Sequence, residues 1–372
     1  MLKRRIGALL LAVSLAFSGL VIPAKAEEQA ESDVIVHYDM SHEGEYLKDV
    51  SGHNNNAKLY HISDGDFKDV YGDAVLKFPG TNESYAELPV SIKEGLNYKE
   101  AFTIEMTLMP NTAQFQFLWT IGTGYQTDYL FFNPRLANGN MNVAIKTAAV
   151  NQENAIPGVG NVQLSTQKYS LVTVTSEGNT LKLYVNGQAI GTLNHSHNLD
   201  DIFGGNDKGV LGYLAKSNWN DPYCDAEVTD FKIYNRPLSE SDVKKNYTEM
   251  EALETLKADA DKVGLPEYTF EDLTLPVKGA SGSAITWKSS APEVISADGK
   301  IQAGATGTTR VTLTATFEDG TSGVAVDKAF QVDVVANGDQ GKLEFIAEQF
   351  DLGISYVTED ITLVNEFKGA AV

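Results

Sequence analysis

Short runs of alternating apolar and polar residues, separated by turn sequences, constrain this chain most strongly. In residues 102–108, apolar side chains alternate with polar ones, the period of two expected for a strand with one buried face. Residues 171–193 contain three strand patterns separated by turn residues, among them Asn186-Gly187. No long helical pattern interrupts residues 33–238. About 200 residues of short antiparallel strands predict one large β-sandwich.

The pattern changes after Ser239. Ser239 and Asp242 form a capping box in which Asp replaces the usual Glu, and the following residues, rich in Lys, Glu, Ala and Leu, predict a helical linker at 247–268. Residues 269–337 then return to strand patterns with Asp-Gly turns. They predict a small immunoglobulin-like sandwich with Trp287 in its core.

The end of the chain repeats an earlier motif. Residues 342–372 resume the pattern of residues 253–287, with Glu359–Leu363 aligned to Glu271–Leu275. We expect 342–372 to be the start of a second, truncated immunoglobulin-like repeat. Because such a unit cannot bury its apolar face alone, the chain is expected to be the front part of a longer protein.

The first 26 residues predict a secretory signal peptide. A basic start at residues 3–5 precedes an apolar run that closes with Ala24-Lys25-Ala26, the small-x-small pattern of a cleavage site. We predict cleavage after Ala26 and no membrane contact after cleavage. The protein is expected to be secreted and extracellular, and association with the cell surface stays open. An uncleaved anchor is the alternative, although the run is slightly short for a membrane span.

Charge and cysteine content narrow the range of partners. The signal contains four basic residues and no acid, so its removal changes the net charge from -21 to -25. A field of this sign disfavours phosphate backbones and anionic membranes, so no nucleic-acid partner is expected. Cys224 is the one cysteine, which excludes an internal disulfide and is typical of a small buried apolar residue.

Three segments resemble the bacterial laminin-G-like, concanavalin A-like jelly-roll domain. They are Lys48–Leu59, Leu183–Gly187 and, most specifically, Asp230–Ser239. The resemblance covers residues 33–246 and implies an all-β, concanavalin A-like jelly roll there. In that family the last segment is the closing strand, and the first is expected to lie beside it in the sheet.

Residues 269–337 resemble the small immunoglobulin-like repeats of secreted bacterial glycoside hydrolases, through Leu273–Pro276, Ile285–Trp287 and Asp298–Ile301. Such repeats and laminin-G-like domains commonly flank catalytic domains similar to arabinanases and xylosidases. The resemblance implies a non-catalytic, carbohydrate-binding or accessory region associated with plant-polysaccharide degradation, with an arabinan- or xylan-like partner. Two alternatives stay open: the front part of a glycoside hydrolase whose catalytic domain lies beyond Val372, or a protein for adhesion at the cell surface.

The sequence shows no catalytic pair of carboxylates, which a glycosidase needs roughly 5 to 10 Å apart. Related β-glucanases carry Glu-x-Asp-x-x-Glu on a strand, but the nearest sequence here, Glu240–Lys245, ends in Lys and lies in a predicted helix. The isolated acids Glu105 and Asp128 are interpreted as solvated or turn residues.

The resemblance also implies a structural calcium ion between an early loop and the closing strand. Asp39, Asp49, Asn54 and Asp230 would supply oxygen ligands, the type that calcium prefers. Thr229 stands where the family usually has a second acid. Ordinary Asx turns at Asp49 and Asn54 are the alternative.

Two loops combine aromatic rings with Asn and Asp, the mixture that sugar sites use. They are Gly122–Asp128 and Ser217–Tyr223, and Trp219 is predicted to be exposed whereas Trp119 is predicted to be core. The predicted carbohydrate-binding residues are Tyr125, Asp128, Asn218, Trp219, Asp221 and Tyr223.

Two further polar motifs contain residue types that bind metals. His195 and His197 have a spacing that could bind zinc, but they lie in a polar segment and are interpreted as solvated. Asp259 and Asp261 lack the glycine and terminal glutamate of a calcium loop and are interpreted as an exposed helix face.

Overall fold

Antiparallel strands account for most of the regular structure. The computed structural model describes residues 33–335 apart from 82, 113, 123–125, 205–208, 304 and 306. The predicted signal peptide, Tyr125 and the predicted truncated repeat therefore lie outside the described residues. No helix in the described part of the chain is long and apolar enough to span a membrane.

The strands and helices are named in chain order. They are β1 Val34–Tyr38, β2 His42–Glu43, β3 Tyr46–Leu47, β4 Ala57–Tyr60, β5 Phe67–Val70, β6 Asp73–Pro79, β7 Tyr85–Pro89, β8 Ala101–Pro110, β9 Trp119–Gly122, β10 Tyr129–Asn133, β11 Asn142–Lys146, β12 Asn154–Ala155, β13 Ser170–Glu177, β14 Thr180–Val185, β15 Gln188–Asn194, α1 Leu199–Phe203, β16 Val210–Leu214, β17 Asp225–Tyr234, α2 Glu240–Lys262, β18 Tyr268–Thr269, β19 Ala284–Ser289, β20 Thr308–Glu318 and β21 Ala325–Val335. Short 3-10 helices lie at Asp64–Asp66, Val90–Glu94 and Val159–Asn161.

The chain divides into two compact units, residues 1–251 and 252–372. In the first unit one sheet has the order β15-β14-β13-β8-β17-β6-β5, with β1 also paired to β17, and a second has the order β12-β11-β10-β9-β16-β7-β4-β3-β2. One apolar cluster, which includes Trp119 and Phe132, forms their common core. The predicted all-β sandwich and the core position of Trp119 are confirmed.

The closing strand is β17, but its predicted neighbour is wrong. Residues 57–60 of the Lys48–Leu59 segment form β4 in the second sheet, whereas β17 pairs with β1, β6 and β8 in the first. The segment is instead tied to β1 through a loop, because the main-chain N–H of His37 donates to the Asp49 carboxylate at 3.0 Å.

The second unit contains the sheet β18-β21-β20-β19, in which β18 is parallel to β21 and the other pairs are antiparallel. Its core includes Val311, Leu313 and Val332. Trp287 is half-buried against this core and donates its indole N–H to the Pro276 carbonyl at 2.8 Å. The immunoglobulin-like prediction for this region is confirmed, with Trp287 at the margin of the core.

Helix α2 begins at Glu240, directly after the predicted cap at Ser239. The Ser239 N–H donates to the Asp242 carboxylate and the Asp242 N–H donates to Ser239 Oγ, both at 3.1 Å. Near the other end, the expectation that Asp259 is exposed is wrong. Asp259 is fully buried and accepts hydrogen bonds from Ser281 N–H at 2.9 Å and Ser283 Oγ at 2.6 Å.

Glu105 is buried on the outer side of the first sheet, so the interpretation of it as solvated is wrong. Its carboxylate accepts from Thr173 Oγ1 at 2.8 Å, Asn246 Nδ2 at 2.9 Å and the Tyr234 hydroxyl at 3.2 Å. Asn246 belongs to α2, whose first turns cover this side chain. Burial raises the pKa of the Glu105 carboxyl, against the opposing effects of Lys232 and the hydrogen bonds.

The raised pKa predicts how Glu105 affects stability. Between the ordinary carboxyl pKa of 4.5 and the higher folded value, the folded state holds a proton that the unfolded state has lost. The contribution of Glu105 to the free energy of unfolding therefore falls as pH rises through this window, by up to about 1.4 kcal/mol per pH unit. Glu105→Gln should abolish this fall, as measured by denaturant unfolding across pH. The exposed Glu177→Gln is the control, and curves for E105Q that parallel the wild type would contradict the assignment.

Candidate functional site

Four half-exposed tyrosines form a surface on the outer side of the second sheet. Strand alternation turns Tyr60 of β4, Tyr85 of β7 and Tyr213 of β16 outward, while the residues between them enter the core. Tyr60 lies opposite Tyr85, and their rings stack with centroids 4.6 Å apart. Tyr223 stacks on Tyr85 at 6.0 Å. We call these four residues the tyrosine face.

A second aromatic cluster lies on the same side of this sheet, at β9 to β11. Phe117, Tyr129 and Phe131 are buried there with Ala144. Trp219 packs on them, with its ring 5.6 Å from Phe117 in a stacked arrangement and 4.7 Å from Tyr129 edge to face. Such aromatic pairs each contribute roughly 0.5–1.5 kcal/mol beyond area burial.

Residues 216–223, which we call the aromatic loop, join the two sets of rings. Hydrogen bonds close its base: Ala215 N–H donates to the Leu118 carbonyl at 2.6 Å, and Cys224 N–H donates to the Ala215 carbonyl at 3.0 Å. Ala215 has a φ of 63°, the left-handed conformation that most residues avoid. A non-glycine residue held in this region indicates that the surrounding structure fixes the loop base.

Polar contacts hold the aromatic loop from within. Ser217 Oγ donates to the Asp221 carboxylate at 2.9 Å and accepts from the Trp219 N–H at 3.0 Å. Lys216 places its ammonium group 4.2 Å from the Tyr85 ring centroid and 4.5 Å from that of Tyr213. These are cation–π distances, so Lys216 ties the start of the aromatic loop to the tyrosine face.

The structure brings four of the six predicted sugar-binding residues into one loop. Asn218, Trp219, Asp221 and Tyr223 lie together, whereas Tyr125 falls outside the described residues. Asp128 is held elsewhere by hydrogen bonds: its carboxylate accepts from the Ala148 N–H and from Thr127 Oγ1, both at 2.7 Å. Trp219 is more exposed than Trp119, as predicted, although part of its ring packs against the aromatic cluster.

Sequence reasoning missed Tyr60, Tyr85, Tyr213 and Lys216. A signal was present, since the first three occupy outward positions in strands where polar residues are expected. Their register across three strands, which brings them together, could not be read from the sequence.

The tyrosine face offers hydroxyl groups and ring edges. Stacking occupies the facing sides of the Tyr60 and Tyr85 rings, and the Tyr60 hydroxyl donates to the Glu87 carboxylate at 2.8 Å. Burial, and then the charge of Glu87, raise the pKa of Tyr85, and burial also raises that of Tyr213. Both phenols therefore remain protonated donors at neutral pH, which suits a ligand with many hydroxyl groups.

The proposed calcium ligands are engaged in protein hydrogen bonds. Asp49 accepts main-chain N–H groups from His37 and Ser51 at 3.0 Å and from Asn55 at 2.8 Å. Asp230 contacts His37 Nε2 at 3.0 Å and the Lys232 ammonium at 2.7 Å. Within the described residues, no group of three His, Cys, Asp or Glu side chains could hold a metal ion.

The two remaining calcium candidates add little to such a site. Asp39 accepts from the Ser41 N–H at 3.0 Å, and Asn54 is exposed with a φ of 58°, as in an Asx-type turn. The oxygen atoms of these four residues therefore fit a hydrogen-bonded loop better than an ion site. Calcium binding stays a prediction, and these contacts do not favour it.

The interpretation of His195 and His197 as solvated is wrong. Both side chains are buried, with ring centroids 5.7 Å apart. The prediction for Cys224 is confirmed, since it is fully buried and burial raises the pKa of its thiol well above the usual value.

Comparisons with known families agree with this architecture. Residues 80–244 match the concanavalin A-like lectin/glucanases superfamily, and residues 249–337 match the atrophied bacterial Ig domain. The chain contains a concanavalin A-like domain followed by a bacterial immunoglobulin-like domain. A comparison with curated proteins found no match.

Similar solved structures share little sequence with the chain. Domain 4 of AbnA, a GH43 extracellular arabinanase from Geobacillus stearothermophilus solved with arabinotriose, has a TM-score of 0.45 and 15% identity over 57% of this chain and 97% of that one. Trypanosoma rangeli sialidase has a TM-score of 0.45 and 16% identity over 59% of this chain and 33% of the sialidase. The binding domain of Paraclostridial Mosquitocidal Protein 1 has a TM-score of 0.45 and 14% identity over 77% of this chain and 64% of its own.

The Asp49 contacts predict a structural role for this carboxylate. Asp49→Ala leaves three main-chain N–H groups without their acceptor, so the free energy of unfolding should fall by about 2–4 kcal/mol in denaturant titrations. Asp39→Ala is the matched control, because the hydrogen bonds of Asp39 go to Ser41, two residues away in the same turn. Equal losses in the two variants would contradict a special role for Asp49.

Melting the full chain in calcium and in chelator tests the ion directly. The hydrogen bonds of Asp49 and Asp230 predict equal midpoints, because both carboxylates already have partners. Calcium at about a hundred times its dissociation constant would instead stabilise the fold by roughly 2.7 kcal/mol. Such a rise, if absent from Asp49→Ala, would establish calcium at this loop.

Proposed function

We propose that the concanavalin A-like domain binds carbohydrate at the tyrosine face and the adjoining aromatic loop. The observation that carries the proposal is the tyrosine face itself: four half-exposed rings on an outer sheet surface, beside a loop fixed by polar contacts. Sugar sites combine aromatic surface with a few placed polar groups. The matched superfamily, described as lectins and glucanases, supports the same class of ligand.

The arrangement of donors suits hydroxyl-rich ligands. Tyr85 and Tyr213 are protonated donors, and Glu87, which lies on the strand of Tyr85 opposite Tyr213, is an acceptor. Because stacking uses the ring faces of Tyr60 and Tyr85, the ligand meets ring edges and hydroxyls there. The outer parts of Tyr223 and Trp219 provide the remaining apolar surface.

The proposed role is binding rather than hydrolysis. Two carboxylates belong to the site, and both already accept hydrogen bonds: Glu87 from Tyr60 and Asp221 from Ser217. These contacts hold the rings and the loop in place. We therefore assign the domain an accessory role in an exported protein that acts on plant polysaccharide, with an arabinan- or xylan-like polymer as ligand.

Affinity electrophoresis of the full chain tests the proposal. Gels containing arabinan, xylan or a related neutral polymer should retard the wild type, and Tyr85→Ala and Trp219→Ala should each weaken retention about fivefold, since an aromatic contact contributes roughly 1 kcal/mol. The control is Tyr268→Ala, which removes an exposed tyrosine from the other unit.

Thermal melts of each variant separate lost binding from lost folding. Wild-type protein that no polymer retards would refute carbohydrate binding. Retention by Tyr85→Ala and Trp219→Ala equal to that of the wild type would place the binding surface elsewhere.

A further inference from the structure

Two buried histidines lie in the segment that connects β15 to α1. His195 and His197 are 9% and 2% exposed. Among residues that the structure describes, none forms a well-aligned hydrogen bond with either ring nitrogen of His195. A neutral imidazole tolerates this position better than a charged one, because a buried cation without an acceptor carries the larger desolvation cost.

His197 has the opposite arrangement, with both ring nitrogens engaged. Nδ1 lies 3.0 Å from Thr147 Oγ1, which follows β11, and Nε2 lies 2.8 Å from Asn154 Oδ1 of β12. The amide oxygen can only accept, so Nε2 carries the proton and Nδ1 accepts from Thr147 in the neutral ring. His197 thereby fixes both ends of the segment 147–154.

The segment 147–154 leads to the aromatic cluster of the candidate site. Glu153 precedes Asn154, and its carboxylate accepts from the Tyr129 hydroxyl at 2.7 Å. Tyr129 in turn packs against Trp219. A continuous set of contacts therefore connects the histidine pair with the aromatic loop.

We infer that His195 and His197 form an acid-sensitive latch, which holds segment 147–154 closed at neutral pH and releases it when His195 takes up a proton. The proton comes from solvent and no covalent bond changes. Histidine is the side chain whose ordinary pKa permits such a change near physiological pH.

The direction of the pH effect follows from the two states. Burial, and then the neighbouring His197 ring, lower the pKa of His195 more than the main chain of His197 raises it, and burial lowers the pKa of His197. As pH falls below the ordinary value of 6.5, the open state binds a proton that the closed state excludes. The stability of the closed latch is therefore complete above that value and is lost as the solution becomes acidic.

Charged groups on the surrounding elements do not offset this loss. Glu153 is bonded to Tyr129 and Asp200 pairs with Lys99 at 2.8 Å, so each has another partner. Within the described part of the chain, no carboxylate forms a hydrogen bond with either ring nitrogen of His195. The ionisable groups on the elements that flank the pair are Lys146, Glu153, Glu177, Lys182, Asp200 and Asp201.

Hydrogen exchange on the full chain, followed between pH 7.5 and pH 5, tests the latch without any glycan. After correction for intrinsic exchange, the opening constant of segments 147–154 and 195–198 should rise about tenfold per pH unit below about 6.5 for each proton taken up. His195→Phe, which fills the buried site without titrating, should reduce this rise to the share that His197 contributes. The exposed His53→Gln is the matched control and should keep it.

Two results would overturn the latch. One is an equal pH dependence in His195→Phe and wild type, and the other is a nuclear magnetic resonance titration of wild-type His195 that gives a pKa at or above 6.5. The second measurement stands even if His195→Phe fails to fold. The acid-induced opening of segment 147–154 is measured without glycan and does not depend on the proposed function. An effect of low pH on glycan retention would depend on it. The two proposals can therefore fail separately.

Discussion

The two sheets of the concanavalin A-like domain share one core through their inner faces, so every strand also sends side chains outward. Whether a helix or a loop covers an outward side chain decides whether that side chain is buried or exposed. On the first sheet, the first turns of α2 cover Tyr234 and Glu105. On the second, Trp219 covers Phe117 and Phe131, while the neighbouring tyrosines stay half exposed. The surface available for binding is the part of an outer face that neither helix nor loop covers.

Strand register connects this surface with the core. A slip of one residue would turn every side chain of a strand to the other face, so packing of Leu59 and Leu88 in the core also fixes Tyr60 and Tyr85 outside. The stacked pair therefore exists before any ligand arrives. A preorganised surface of this kind loses little entropy on binding, which favours affinity from a small contact area.

The periodicity of the sequence predicted the sandwich, the cap of α2 and the buried Trp119, because each depends on residues close in the chain. It predicted Glu105, His197 and Asp259 to be solvated, and all three are buried. Each obtains hydrogen-bond partners from distant positions: Thr173 and Asn246 for Glu105, Thr147 and Asn154 for His197, and Ser281 and Ser283 for Asp259. Polarity predicts exposure only where no such partner exists, and local patterns do not reveal the partner.

His195 is also buried, but unlike those three residues it lacks well-aligned hydrogen bonds to the described residues. Burial of Glu105, His197 and Asp259 is compatible with stability because their polar atoms are satisfied. His195 is buried to a similar degree, yet its ring nitrogens have no partner among the described residues. Its neutral form is tolerated and its charged form is not, so the same burial that stabilises the other three makes this position dependent on pH. These four buried groups thus differ by their partners rather than by their exposure, and His195 is the one among them whose environment disfavours a positive charge.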